Sequence, residues 1–381
     1  MTDNREIYKS WYSKKDLIQV TMHYHPFRSG GQQLYVEELR GITTEMGLLS
    51  SVIQPMRGGE PPEWVVEIAP MRGLRKISPH ASWFWFTYRL RSRWAWIDNA
   101  SVVVVHYPFH VTGLSSSSRK IILSHGVDWP ERPVKLVDRY KKWVAEYCKQ
   151  KGMPTVANDT DYFRRIGMDV PVGQPPYSMV AQNSWYIPNA VDTDFMRDEK
   201  GKRKPVVLVP RNIRKSRGIH LAIEAFWHFH KRNPSFEMWI AGGQTRGLYY
   251  ELCHDLVKDY SLQNHVRFLG EVEHAQMNSL YQEAMVTLIP TLAFEGTSYS
   301  ALEAMACGSA TLSTNVGGLA DLPTEKTDIE AVAVAERLEE MLEGRTNIVE
   351  RQRALVERDF DIRQWRAAWR RVIEWRMSLP S

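Results

Sequence analysis

Cysteine is scarce in this chain. The three residues Cys148, Cys253 and Cys307 lie far apart and form no C-x-x-C pair, which argues against a disulfide framework and a cysteine-based zinc site and fits a reducing compartment. Long apolar runs are also missing. No stretch approaches the roughly 18 residues of a membrane span, and the N-terminal MTDNREIYKSWYSKK has no apolar core of a signal peptide. A cytoplasmic protein is expected, with any membrane contact peripheral and on the inner face. Charge of one sign does not dominate: 49 Lys and Arg against 44 Asp and Glu, mostly interspersed, leave a net charge of +5. That excess is too small to argue for nucleic acid, yet it suits an anionic small ligand or an acidic membrane surface.

What remains is an ordinary globular composition, 43% hydrophobic and 24% charged over 381 residues, enough for about two domains. From Asp16, DLIQVTMHYHP reads as a strand and RSGGQQLYVEELRGITTEMG as a glycine loop opening an amphipathic helix. Strand, glycine turn and helix in that order begin a Rossmann-like unit. Gly30 and Gly31 let backbone approach a phosphate closely, although such a pair also serves as a plain tight turn, and the full G-x-G-x-x-G spacing is absent. Ser82 to Asp98 interleaves Trp, Phe and Tyr with arginines. This is the pattern of an amphipathic helix on an anionic bilayer, and equally of a helix packed on the sheet with its arginines snorkelling into water. The latter is the simpler reading. Strands SVVVVHYP and KIILSH follow, and His125, ending the second, is placed to face a ligand crevice.

A charged, aperiodic segment, RDEKGKRKP, marks the linker. The expected boundaries are 1–195 for an N-terminal acceptor domain, 196–360 for a C-terminal nucleotide-sugar domain and 361–381 for a helix returning to the first domain. Beyond the linker, strand and helix alternate again through VVLVP, EMWIAGG, VRFLG, VTLIP and ATLST, which calls for parallel strands with crossover helices.

The richest stretch runs from Ile289 to Gly318. Glu295 and Glu303 stand eight positions apart across a strand-to-helix junction, the place where an α/β sheet usually holds its ligand. The amides of Thr297, Ser298 and Tyr299 at the helix start favour an anion. Two D-x-D triplets, at 159–161 and 192–194, could suggest a metal, as could His23, His25, His106 and His110. The triplets read better as loop residues, and the histidines, lacking a carboxylate-rich partner set, as pocket lining.

Taken together, E-x7-E followed by AMACG and NVGG, preceded by IPNAVD and FLGEV, with an arginine after the first strand of the second domain, resembles the retaining GT-B glycosyltransferases of family 4. The resemblance covers almost the whole chain. It implies a GT-B fold, two Rossmann-like doubly wound parallel-sheet domains facing across a cleft, and transfer of a hexose from a UDP- or GDP-linked donor to a glycan, lipid-linked or small-molecule hydroxyl. No cofactor or metal is implied. Glu295 would sit by the hexose, Gly296, Thr297, Ser298 and Tyr299 by sugar and diphosphate, and Glu303 on the ribose hydroxyls. Arg211, with Arg217 or Lys215, would hold the diphosphate in place of a metal. His125 would lie near the transferred sugar, Val272 by the base, and Gly30 and Gly31 against the phosphates. Thr297 stands where the family often has an aromatic, and LADLPTEKTD after NVGG lacks the usual acidic residue and glycine turn. A noncatalytic subunit of the same fold, or a nucleotide-sugar epimerase, is the alternative reading.

Overall fold

The computed structural model describes residues 15–26, 30–69, 79–130, 132–243 and 247–379. The N-terminal stretch used in the signal-peptide reading and residues 27–29 of the first glycine turn lie outside them.

Short, fully buried apolar runs build two sheets. The first contains β1 (Leu17–Val20), β2 (Ser50–Pro55), β3 (Val65–Ile68), β4 (Val102–Val105), β5 (Lys120–Ser124), β6 (Thr155–Ala157), β7 (Ser178–Ala181) and β8 (Ser184–Tyr186), in the order β3-β2-β1-β4-β5-β6-β8-β7. Every pairing is parallel except β7 with β8. The second sheet holds β9 (Lys204–Val209), β10 (Glu237–Ala241), β11 (Val266–Gly270), β12 (Ala284–Ile289), β13 (Ala310–Thr314) and β14 (Glu325–Thr327), ordered β11-β10-β9-β12-β13-β14 and parallel throughout. Strands β2, β3, β7, β8 and β14 are additional to the alternation read from the sequence. The parallel α/β architecture is otherwise as expected, because runs such as Val102–Val105 are buried on both faces and leave no alternation to misread.

Helices cover both faces. Those used below are α1 (Gly31–Glu45), α2 (Pro79–Leu90), α3 (Leu136–Gln150), α4 (Thr160–Arg165), α5 (Ile219–His230), α6 (Leu248–Asp259), α7 (His274–Glu283), α8 (Tyr299–Ala306), α9 (Ala331–Glu343), α10 (Arg345–Asp359) and α11 (Ile362–Ser378). Helix α11 lies against the first sheet: Trp365 and Trp369 are buried with Leu17, Val102, Ile121 and Val156, and the Trp369 indole donates to the Tyr35 hydroxyl at 2.8 Å. Each buried tryptophan removes about 150–250 Å² from water, an upper estimate of about 4–6 kcal/mol at about 25 cal/mol per Å². Arg366 adds ion pairs to Glu38 and Glu45 of α1. Helix α11 therefore returns to the first unit after the second is built.

In each sheet the strand order reverses between two central strands, β1 and β4 in the first and β9 and β12 in the second. Ligands of open α/β sheets bind at such points, outside the carboxyl ends of the strands. Here the two reversal points face one another.

Candidate functional site

The cleft between them has a volume of about 390 Å³, within the range that takes a small organic ligand. It is lined by Gly30, Gly31, His125, Arg211, Arg217, Val272, Glu303 and the run from Glu295 to Tyr299. Of the site residues implied by the family resemblance, Lys215 alone is not among its lining. Lys215 and Arg217 occupy one 3₁₀ turn, in which positions two apart point to different sides, so Lys215 is exposed while Arg217 turns inward. Gly218 closes that turn at φ +69°, and a Cβ there would lie 1.8 Å from the Pro290 carbonyl oxygen. Only glycine lets the turn come so close to the end of β12.

Arg211 and Arg217 converge on one carboxylate. The Arg211 Nη2 is 3.4 Å from Glu295 Oε1, and Arg217 Nη1 pairs with Glu295 Oε2. Burial pulls the Arg211 guanidinium down to about 10, and burial with the neighbouring Arg211 and Arg214 pulls Arg217 down to about 9. Both remain cations at pH 7, but one carboxylate does not balance two desolvated guanidiniums. The Arg211 Nε has no hydrogen-bond partner, nor has the buried Ser298 hydroxyl at the start of α8. A site with excess buried positive charge, an orphan donor and a helix N-terminus is suited to an anion. Phe294, just before Glu295, holds φ +53°, a strained backbone of the sort found at functional sites.

Glu303 is held in a different way. Its Oε1 is 2.8 Å from His274 Nε2 and its Oε2 accepts from the Tyr281 hydroxyl at 2.9 Å. Lining the cleft, it has acceptor capacity to spare for a diol. Neither α7 residue was singled out in the sequence, and only their place two and nine positions after FLGEV could have signalled them. The hydrogen bond to Glu303 raises the His274 pKa above its ordinary 6.5. A histidine whose folded pKa exceeds its unfolded value adds stability that is full below about pH 6.5 and lost as pH rises through the folded value. The gap in melting temperature between the wild type and His274→Gln is therefore expected to be widest near pH 6 and to shrink towards pH 8; a gap independent of pH would contradict the pairing.

The first sheet supplies a hydrogen-bond relay behind His125. Gln19 donates from Nε2 to the Val36 carbonyl at 3.1 Å, which turns its Oε1 to His106 Nε2 at 2.8 Å. His106 Nε2 must then carry the proton. Burial depresses the pKa of His106 well below 6.5 and that of His125 to about 3, so both rings are neutral at pH 7. The His106 Nδ1 therefore accepts from His125 Nε2, 3.0 Å away, and Nδ1 is left as the acceptor of His125. Tyr35 packs edge-on against His125 with ring centres 4.8 Å apart. The pocket-lining role expected for the four clustered histidines needs correction: His106 stands behind His125, His110 bonds the Thr87 hydroxyl, and His23 and His25 are not among the residues lining the cleft.

The loop after Glu295 closes onto the first unit. Thr297, buried, accepts at its hydroxyl from Asn189 N at 2.7 Å and donates to the Asn158 carbonyl at 2.9 Å. This hydroxyl explains a threonine where an aromatic was expected. A Cβ at Gly296 would lie 2.6 Å from the His125 carbonyl oxygen, and one at Gly126, which has φ +112°, would lie 2.7 Å from Gly296 N. Asp321, within the segment read as lacking the usual acidic residue, accepts from Thr160 N at 2.7 Å and from its hydroxyl at 2.5 Å. Both D-x-D triplets are local: Asp159 caps α4 through Tyr162 N, Asp161 pairs with Arg165, and Asp192 accepts from Asp194 N and Phe195 N.

Comparison with known proteins fits this geometry. Residues 191–358 match the family Glycosyl transferases group 1. Arg211, Arg217, Glu295 and Glu303 all belong to this group 1 region, whereas His125 and Gly30 do not. The fold is GT-B. The chain superposes on sucrose-phosphate synthase from Thermosynechococcus elongatus with a TM-score of 0.76 at 16% identity, over 94% of this chain and 98% of that one. It also superposes on Anabaena Alr3699/HepE in complex with UDP and glucose with a TM-score of 0.71 at 16% identity, over 96% and 100%. Among curated proteins, the gpi3 subunit of phosphatidylinositol N-acetylglucosaminyltransferase from Schizosaccharomyces pombe is 28% identical over 40% of this chain and 31% of its own length. Glycogen synthase of Mycobacterium tuberculosis is 28% identical over 28% of this chain and 24% of its own length. The matches thus span a third or less of these relatives.

Proposed function

We propose that the protein is a glycosyltransferase that moves a hexose from a nucleoside-diphosphate sugar to a hydroxyl acceptor with retention of anomeric configuration. The observation that carries this reading is the pairing, in one cleft, of a charge-excess arginine pair with a carboxylate held for a diol. Arg211 and Arg217 meet the diphosphate, Glu303 accepts from the ribose hydroxyls, and Glu295, already beside both arginines, faces the hexose. Val272 lies by the base, and the turn at Gly30 and Gly31 closes over the phosphates from the other side.

As the glycosidic bond breaks, negative charge grows on the leaving diphosphate. Fixed cations and the start of α8 stabilise that change more than they stabilise the ground state. The arginines supply the positive charge that other transferases take from a metal. His125, neutral and with Nδ1 as its acceptor, receives a hydrogen bond from a sugar hydroxyl and orients it. The departing phosphate takes the proton of the attacking hydroxyl, and no side chain acts as nucleophile. Similarity to proteins named for UDP complexes and for N-acetylglucosamine transfer supports a UDP-linked donor.

The test is release of nucleoside diphosphate from a panel of nucleotide sugars and acceptors, with melting temperature read in parallel. Sugar-dependent release is expected together with a nucleotide-induced rise in melting temperature. Absence of both responses would overturn the reading. A rise without release under any acceptor would favour the noncatalytic subunit.

A further inference from the structure

We propose that an exposed aromatic and basic face on α2, the one-turn helix Trp94–Ile97 and α3 seats the protein on an anionic phospholipid bilayer. Phe86, Leu90 and Trp96 point into the core of the first unit, so these helices do pack on the sheet. Their other side is left uncovered. Phe84, Tyr88 and Trp94 are 44%, 58% and 36% exposed, and on α3 Leu136 and Trp143 are 80% and 54% exposed. Phe84 meets Tyr140 at 5.6 Å, and Tyr140, Trp143 and Tyr147 follow along α3 with ring centres 5.8 and 5.7 Å apart, so the two helices form one surface. A patch of large apolar side chains of this kind marks an interaction site.

Charge selects the partner. From residue 79 to residue 97 the chain has three arginines, Arg89, Arg91 and Arg93, and no Asp or Glu. The Arg91 guanidinium lies over the rings of both Tyr88 and Trp94, at 5.7 and 5.9 Å, so the cations and the aromatics share one surface. Helix α3 adds a net +2, from Arg139, Lys141, Lys142 and Lys149 against Asp138 and Glu146, with Lys142 paired to Glu146 and Arg139 exposed. A second copy docking by the same face would set like charges against each other. An anionic lipid surface attracts the arginines and accepts the aromatic rings at its headgroup boundary. Among the described residues no helix is long and apolar enough to cross a membrane.

Aromatic contacts through the first unit link this face to the cleft. Ring contacts run from His125 to Tyr107 at 5.9 Å, from Tyr107 to Trp83 at 6.4 Å, and from Trp83 through Phe109 to Phe84 at 6.3 and 5.1 Å. Resting on the transferase reading, this link places the acceptor in the class of lipid-linked hydroxyls drawn from the same bilayer.

Flotation with phosphatidylcholine vesicles, with and without phosphatidylglycerol, tests the surface independently of any turnover. The wild type is expected to float with the anionic vesicles alone and to be released by salt. Arg91→Gln and Arg139→Gln should each weaken partition about fivefold, and Trp143→Glu should abolish it, while all three keep the wild-type melting temperature and its rise with UDP. Absence of flotation with anionic vesicles, equal flotation with neutral ones, or full flotation of Trp143→Glu would overturn the proposal. So would heparin binding that matches vesicle binding and ignores Trp143, which would assign the cations to a soluble polyanion. A lost vesicle response with an intact UDP response removes the surface and leaves the transferase reading; the converse does the opposite.

Discussion

Arg211→Ala is expected to lower turnover by about a hundred- to a thousandfold, the range seen when one preorganised donor to a developing oxyanion is removed, while weakening donor binding much less. The charge Arg211 meets grows in the transition state, so its loss falls on kcat more than on ground-state affinity. The local electrostatics sharpen this expectation. Arg211 is only 8% exposed and shares Glu295 with Arg217. Without it, Arg217 and Glu295 balance one to one, and the positive excess that awaits the diphosphate disappears. Arg211→Lys should recover part of the loss, because it keeps the charge but not the guanidinium fork. Single-turnover kinetics beside calorimetric donor binding would separate the two effects. An equal loss in both would show that Arg211 binds ground and transition states alike.

Glu303→Gln should weaken nucleoside-diphosphate binding by about 1.5–3 kcal/mol, the usual worth of a hydrogen bond to a charged acceptor, or roughly ten- to a hundredfold in affinity. Glutamine is the informative replacement. Its carbonyl can still accept from Tyr281, whose hydroxyl is buried and bonds Glu303 at 2.9 Å; alanine would orphan that hydroxyl and confound binding with folding. Calorimetry with UDP and with its 2′,3′-dideoxy analogue checks the assignment. The wild type should lose affinity for the dideoxy form, and Glu303→Gln should bind the two forms alike. If the variant still discriminates between them, the diol is recognised elsewhere.

Much of the second unit's share of the cleft lining was legible in the chain. Arg211, Glu295, Glu303 and the start of α8 lie at carboxyl ends of strands or just beyond, and strand periodicity with punctuating Gly and Pro reports such ends directly. The side chain of Thr297 was legible only as a departure. Its reason, a hydroxyl shared between Asn189 and Asn158, joins residues 108 and 139 positions away. His274 and Tyr281 were missed for a similar cause: a residue on a crossover helix is chosen as partner by how that helix packs.

Order along the chain is thus what the sequence by itself determined: two runs of strand and helix, the arginine after β9 and the two glutamates after β12. Periodic burial and turn chemistry are local, and local patterns survive without a fold. The tertiary structure alone decided which groups meet. It turned Arg217 rather than Lys215 inward, set both arginines on Glu295, placed Gln19 and His106 behind His125, and left Phe84 and Trp143 uncovered on one face. Each of these depends on the docking of elements tens to hundreds of residues apart, and the free energy of that docking is spread over two cores that no single stretch of sequence contains.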